Sequence, residues 1–183
     1  MKKISLVICC AIVLGTAAWA QNGPGHEFKK RSTITVTVLV SSMTPLNCTT
    51  TLGTGIFSAL SWTFGATTPV TSGTGGGGGS TGKTTFSDLV VTKRTDSCTP
   101  LLFAAVAEGK HLQKVTIVQQ DNNKDDVFSV TLEDVVIANY ELGGDISQEV
   151  PSEKIAFNFA KVLITDTTTG TKFGWDLKQG RTF

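Results

Sequence analysis

An excess of charge of either sign is what this sequence most clearly lacks. Over 183 residues, 16 Lys+Arg stand against 15 Asp+Glu, a formal net charge of +1. Binding to nucleic acid needs a concentrated basic face to neutralise phosphates, and this balance supplies none. Histidine is scarce as well: His26 and His111 are isolated, and no Cys has a partner at metal-ligand spacing, so no zinc site is argued for. No Ser/His/Asp or Cys/His arrangement has local support, which leaves no catalytic residue and no cofactor to assign. Beyond the N-terminus no apolar run approaches the ~20 residues that a membrane span needs. With 40% hydrophobic and 17% charged residues, the chain is not depleted in the way disordered chains are. A chain of this size makes one domain around one core.

What is present starts at the N-terminus. Met1-Lys2-Lys3 is a short basic segment, residues 4–16 are mostly apolar, and Ala18-Trp19-Ala20 fits the small-x-small cleavage rule. We read this as a secretory signal peptide cut between Ala20 and Gln21, which predicts an exported protein, periplasmic or extracellular and free of the membrane after cleavage. The organisation expected is a signal peptide over 1–20, a flexible mature N-terminus over 21–31 and a single domain over 32–183. Loss of Lys2 and Lys3 leaves 14 basic against 15 acidic residues. Of four cysteines, Cys9 and Cys10 go with the leader. Cys48 and Cys98 remain, as a disulfide or as two buried thiols.

Threonine is over-supplied, with 27 among the 163 residues that follow Ala20. Its β-branched side chain suits a pleated surface. Residues 32–40 alternate, Ile34, Val36, Val38 and Val40 on one face and Thr33, Thr35 and Thr37 on the other, as in a half-buried strand. Further strands are expected over 56–64, 84–94, 115–120, 127–140, 154–166 and 171–177. Residues 41–55 read as a loop, and 65–82 as a long flexible one containing five consecutive glycines. Thr99-Pro100 reads as a helix start with Thr99 capping, and Gly109 as its end, giving one short flanking helix at about 100–109. The fold class is therefore mainly β, a barrel or sandwich.

Gly77 to Thr84 matches the nucleotide-loop spacing G-x-x-x-x-G-K-[ST]. That chemistry also needs a buried strand before the loop and a helix after it. Here a polar loop precedes and an alternating strand follows, so we read a flexible interaction loop instead. Asp121, Lys124, Asp125 and Asp126 read as a solvated hairpin tip. Glu133 and Asp134 are adjacent in a strand, where neighbours point to opposite faces, so they cannot pair as acid and base unaided. Trp62, Phe64, Phe157, Phe159 and Trp175 lie at alternating positions and read as core.

From residue 58 to 178 the order of motifs resembles the haemolysin-coregulated protein family, the tube subunit of the bacterial type VI secretion system. The resemblance is carried by Leu60-Ser61-Trp62, the glycine run ending Gly82-Lys83, Thr99-Pro100-Leu101-Leu102 and Gly109-Lys110-His111. It is most specific at Thr131-Leu132-Glu133-Asp134-Val135, Asn158-Phe159-Ala160-Lys161-Val162 and Gly174-Trp175-Asp176-Leu177. It implies a barrel of two sheets with one flanking helix and a non-enzymatic structural role. Its partners would be copies of itself in a homo-hexameric ring, rings stacked into a tube, and effectors or other secretion components carried with it. By the same resemblance the loop with Ser72, Gly75, Gly79, Gly82 and Lys83 is the candidate ring contact. The family lacks a cleavable leader, and residues 32–55 match its opening strand poorly. The alternative is thus a secreted binding module that keeps the barrel and no longer assembles a tube.

Overall fold

The computed structural model describes residues 32–41, 44–71 and 80–183. The proposed leader with Ala20 and Gln21, the segment 21–31, and Ser72, Gly75 and Gly79 lie outside the described residues. In chain order the main elements are β1 (Thr33–Ser41), β2 (Ile56–Ala59), β3 (Ser61–Thr63), β4 (Leu89–Arg94), α1 (Thr99–Ala107), β5 (His111–Gln120), β6 (Asp126–Gly143), β7 (Ser152–Asp166) and β8 (Lys172–Asp176).

All pairings are antiparallel, and they close on themselves. β1 lies between β5 and β2. β2 continues through Leu60, whose N–H donates to Thr92 O at 2.8 Å, into β3, which pairs with β4. β4 pairs with the first half of β7, β7 with β6, and β6 with β5, returning to β1. Closure removes most open sheet edges. The second half of β7 carries β8 instead of β4.

Alternation explains the filling of the barrel. Val36 and Val38 of β1, Phe57 of β2, Leu89 and Val91 of β4, and Ile155 and Phe157 of β7 are all wholly buried. Phe159 joins them, while Trp62, Phe64 and Trp175 are half-buried against this core. The expected strand over 56–64 breaks at Leu60, and that over 84–94 breaks at Ser87 and Asp88. β5 begins four residues earlier than its periodicity suggests, at His111.

α1 packs on β6 at one end of the barrel. Thr99 is not its cap: Cys98 holds that position without a side-chain cap bond. The Thr99 hydroxyl instead accepts the Asp96 N–H at 2.9 Å and donates to Glu153 Oε1 at 3.2 Å. The helix stops as expected at Gly109, with φ +58°. There the Gly109 N–H donates to Val106 O at 3.1 Å and the Lys110 N–H to Ala105 O at 2.8 Å.

Candidate functional site

Four features outside ordinary barrel packing carry chemistry or surface. The first is the segment read as a flexible loop, which is a hairpin arm over its described part. Ala66–Thr67 pairs with Thr85–Phe86, and Val70–Thr71 with Ser80–Thr81. The Gly82 N–H donates to Pro69 O at 2.8 Å, and the hydroxyls of Thr68 and Thr84 meet at 2.7 Å. Gly82 and Lys83 are exposed on this arm. Its base is anchored by aromatic contacts, Phe64 on Phe86 at 6.1 Å, Phe64 on Phe159 at 5.6 Å and Phe86 on Trp175 at 6.2 Å. A strand pairing rather than a helix follows Lys83, so the phosphate-binding geometry is not built there.

The second feature joins Cys48 to Cys98 by a disulfide, with Cα atoms 5.0 Å apart. It ties the loop before β2 to the start of α1. That loop is less free than its composition suggests, since Leu46 and Cys48 are buried.

The third is a buried polar cluster that sequence reasoning missed. Lys93 and Glu153 are buried and form an ion pair. Lys93 Nζ also reaches Asp96 Oδ1 at 2.9 Å and lies 5.0 Å from the Phe57 ring centre. The Tyr140 hydroxyl donates to Glu153 Oε2. Burial first, and then the bond to Glu153, push the Tyr140 phenol above its ordinary pKa. Parity along β4 was a usable signal, because Lys93 shares its face with Leu89 and Val91.

The fourth is a groove of about 580 Å³ over β5, β6 and β7. Its cause is a shared fault in alternation. Leu112 and Val115, Leu132 and Val135, and Phe159 and Val162 are all buried, with two residues instead of one between the members of each pair. The register runs through unbroken, Lys114 opposite Glu133 and Glu133 opposite Lys161. Asp134 absorbs the fault with φ +54°. Glu133 and Asp134 therefore line the same groove, contrary to the expectation of opposite faces. Asp134 receives the Lys178 ammonium on one oxygen and lies 3.4 Å from His111 Nδ1 on the other. The Lys178 hydrogen bond and charge hold the Asp134 carboxyl below its usual range, and Asp134 in turn raises Lys178. Apolar Leu39, Val40, Leu112 and Ala160 complete the groove.

Among the described residues no group of three or more His, Cys, Asp or Glu is placed to hold a metal, and no helix is long and apolar enough to cross a membrane.

Residues 47–165 match the family described as "Type VI secretion system effector, Hcp". Solved structures of the same fold include Hcp1 from Salmonella typhimurium, at 20% identity and a TM-score of 0.68, covering 84% of this chain and 99% of that one. Hcp1 from E. coli EAEC 042 is 14% identical with a TM-score of 0.66, covering 79% of this chain and 99% of the other. The secreted protein Hcp3 from Pseudomonas aeruginosa is 18% identical with a TM-score of 0.53, covering 79% and 96%. No curated protein matches the chain in sequence.

Proposed function

The chain belongs to the Hcp family of the type VI secretion system, and from that premise we propose that it is a non-enzymatic, ring-forming structural subunit. Six copies close into a ring, rings stack into a hollow tube, and effectors travel in the lumen or on the tip. The observation that carries this reading is the family match over residues 47–165, which takes in the helix and the barrel strands from β2 through β7 but not β1. Ring contacts of this kind are heterologous and close by rotation. The loop with Ser72, Gly75, Gly79, Gly82 and Lys83 is the candidate contact between copies. Residues 1–20 act as a signal peptide cleaved between Ala20 and Gln21, residues 21–31 follow as the mature N-terminus, and a single barrel domain takes up 32–183. The site of action is then the periplasm or the medium.

Sizing combined with negative-stain imaging of the purified protein tests the assembly. Six-fold rings are expected, and a monomer at every concentration overturns the reading. A second reading is favoured by the leader and by residues 32–46, which fall outside the family match. In it the protein is an exported barrel that binds a partner without forming a tube. N-terminal sequencing of material recovered outside the cytoplasm should begin at Gln21. A retained Met1 would remove the support for export.

A further inference from the structure

The groove over β5, β6 and β7 has a counterpart elsewhere on the same chain. Loop 144–151, between β6 and β7, carries Asp145 and Glu149 and no basic residue. At its tip Ile146 is fully exposed, the most exposed large hydrophobic side chain among the described residues. The loop is nonetheless ordered. The Asp145 carboxylate accepts the Ser147 N–H at 2.7 Å, and Asp145 O accepts the Gln148 N–H at 2.9 Å. An Asx turn thus holds one β-branched side chain out into water between two acids.

The groove presents the complement. Leu39, Val40 and Ala160 give it an apolar floor; Lys114 pairs with Glu133 and Lys178 with Asp134. Lys161, also lining the groove, has its ammonium 5.7 Å from the Phe183 ring centre and no carboxylate partner among the ion pairs of the described residues. An apolar knob flanked by negative charge fits an apolar floor bordered by an excess of positive charge. Seating Ile146 on that floor would take its apolar surface out of water.

We propose that loop 144–151 of one copy, led by Ile146, seats in the β5–β6–β7 groove of the next copy. The inference rests on the ring reading and names one of its contacts. Knob and groove are different patches of one surface, so each copy gives one and receives one, and the contact repeats head to tail until rotation closes it. Asp145 and Glu149 face the lysines, and Ile146 covers the floor.

Three variants of the purified protein test this: Ile146→Asp, Lys161→Glu with Lys178→Glu, and that pair combined with Asp145→Lys and Glu149→Lys. All these side chains lie at or near the surface, and circular dichroism checks that each variant keeps its β signal. Sedimentation should find that the first two associate about tenfold or more weakly, and that the third recovers assembly. Wild-type rings that persist unchanged in Ile146→Asp overturn the contact while leaving the ring reading intact. A wild type that never assembles overturns the ring reading and the contact with it.

Discussion

Lys93 and Glu153 meet as an ion pair inside the barrel wall, on strands β4 and β7 that face each other in register. Neither side chain reaches water, and their unused hydrogen-bonding capacity goes to Asp96, Thr99 and Tyr140. Breaking a buried pair from one side leaves a desolvated charge and costs about 3–5 kcal/mol, whereas replacing both partners with apolar groups often costs little. Lys93→Met and Glu153→Leu should each lower unfolding stability by roughly that amount. The double variant should lose clearly less than the sum of the two. Urea titration of the four proteins closes the cycle, and simple additivity would show that the two groups are not coupled.

Tyr140 is the only tyrosine in the chain, so its ionisation can be followed without overlap. Burial and the neighbouring Glu153 carboxylate both disfavour the phenolate, and the folded pKa is raised. A group with a raised folded pKa contributes stability that is complete below its unfolded value of 10.0 and is lost as pH climbs towards the folded one. The native protein should therefore show no phenolate absorbance where denatured protein already titrates, and stability should fall above about pH 10. Replacing Glu153 by Gln removes the charge and should bring the native titration down. An ordinary titration in the native wild type would refute the buried arrangement.

The strands were legible wherever inward and outward positions alternate, as at Val36 and Val38, and the helix end was legible at Gly109 because little else tolerates its φ. Lys93 was legible in parity, but its partner lies 60 residues away and only the closed barrel brings them together. The fault at Gln113-Lys114, Glu133-Asp134 and Ala160-Lys161 was hidden. No Gly or Pro marks it, and it shows only when three paired strands are set side by side in register, with Asp134 in a backbone region where Asp is tolerated better than most residues. The hairpin arm was obscured for the opposite reason, since Gly and Thr composition looks the same in a loop and in a short ladder.

The Cys48–Cys98 bridge gives a separate expectation. Both residues are buried, so labelling must be done on denatured protein. Without reductant, neither cysteine should react. With a sequence separation of 50, loop closure in the unfolded chain accounts for about 4 kcal/mol at most. Reduction, or Cys48→Ala with Cys98→Ala, should shift the urea midpoint down accordingly. Two reactive thiols in unreduced protein would show that the bridge does not form in the cell.

Gly55 and Gly109 share a left-handed backbone, at φ +69° and +58°, but differ in surroundings. A Cβ on Gly109 meets nothing within 4 Å, so Gly109→Ala should cost only the backbone preference, about 1 kcal/mol. A Cβ on Gly55 would lie 2.7 Å from Pro45 Cβ, 2.9 Å from Leu46 N and 3.0 Å from Val38 O. Two of these are backbone atoms, already committed to each other by the Leu46 N–H···O Val38 bond at 3.0 Å, so neither can yield cheaply. Gly55 also bonds on both sides, its N–H to Cys48 O at 2.8 Å and its carbonyl from Val38 N–H at 2.9 Å. Gly55→Ala must therefore push the disulfide loop off β1, and should cost about 3 kcal/mol or more. Equal losses for the two alanine variants, measured in the same denaturant series, would mean that the loop gives way easily and that the crowding around Gly55 is not real.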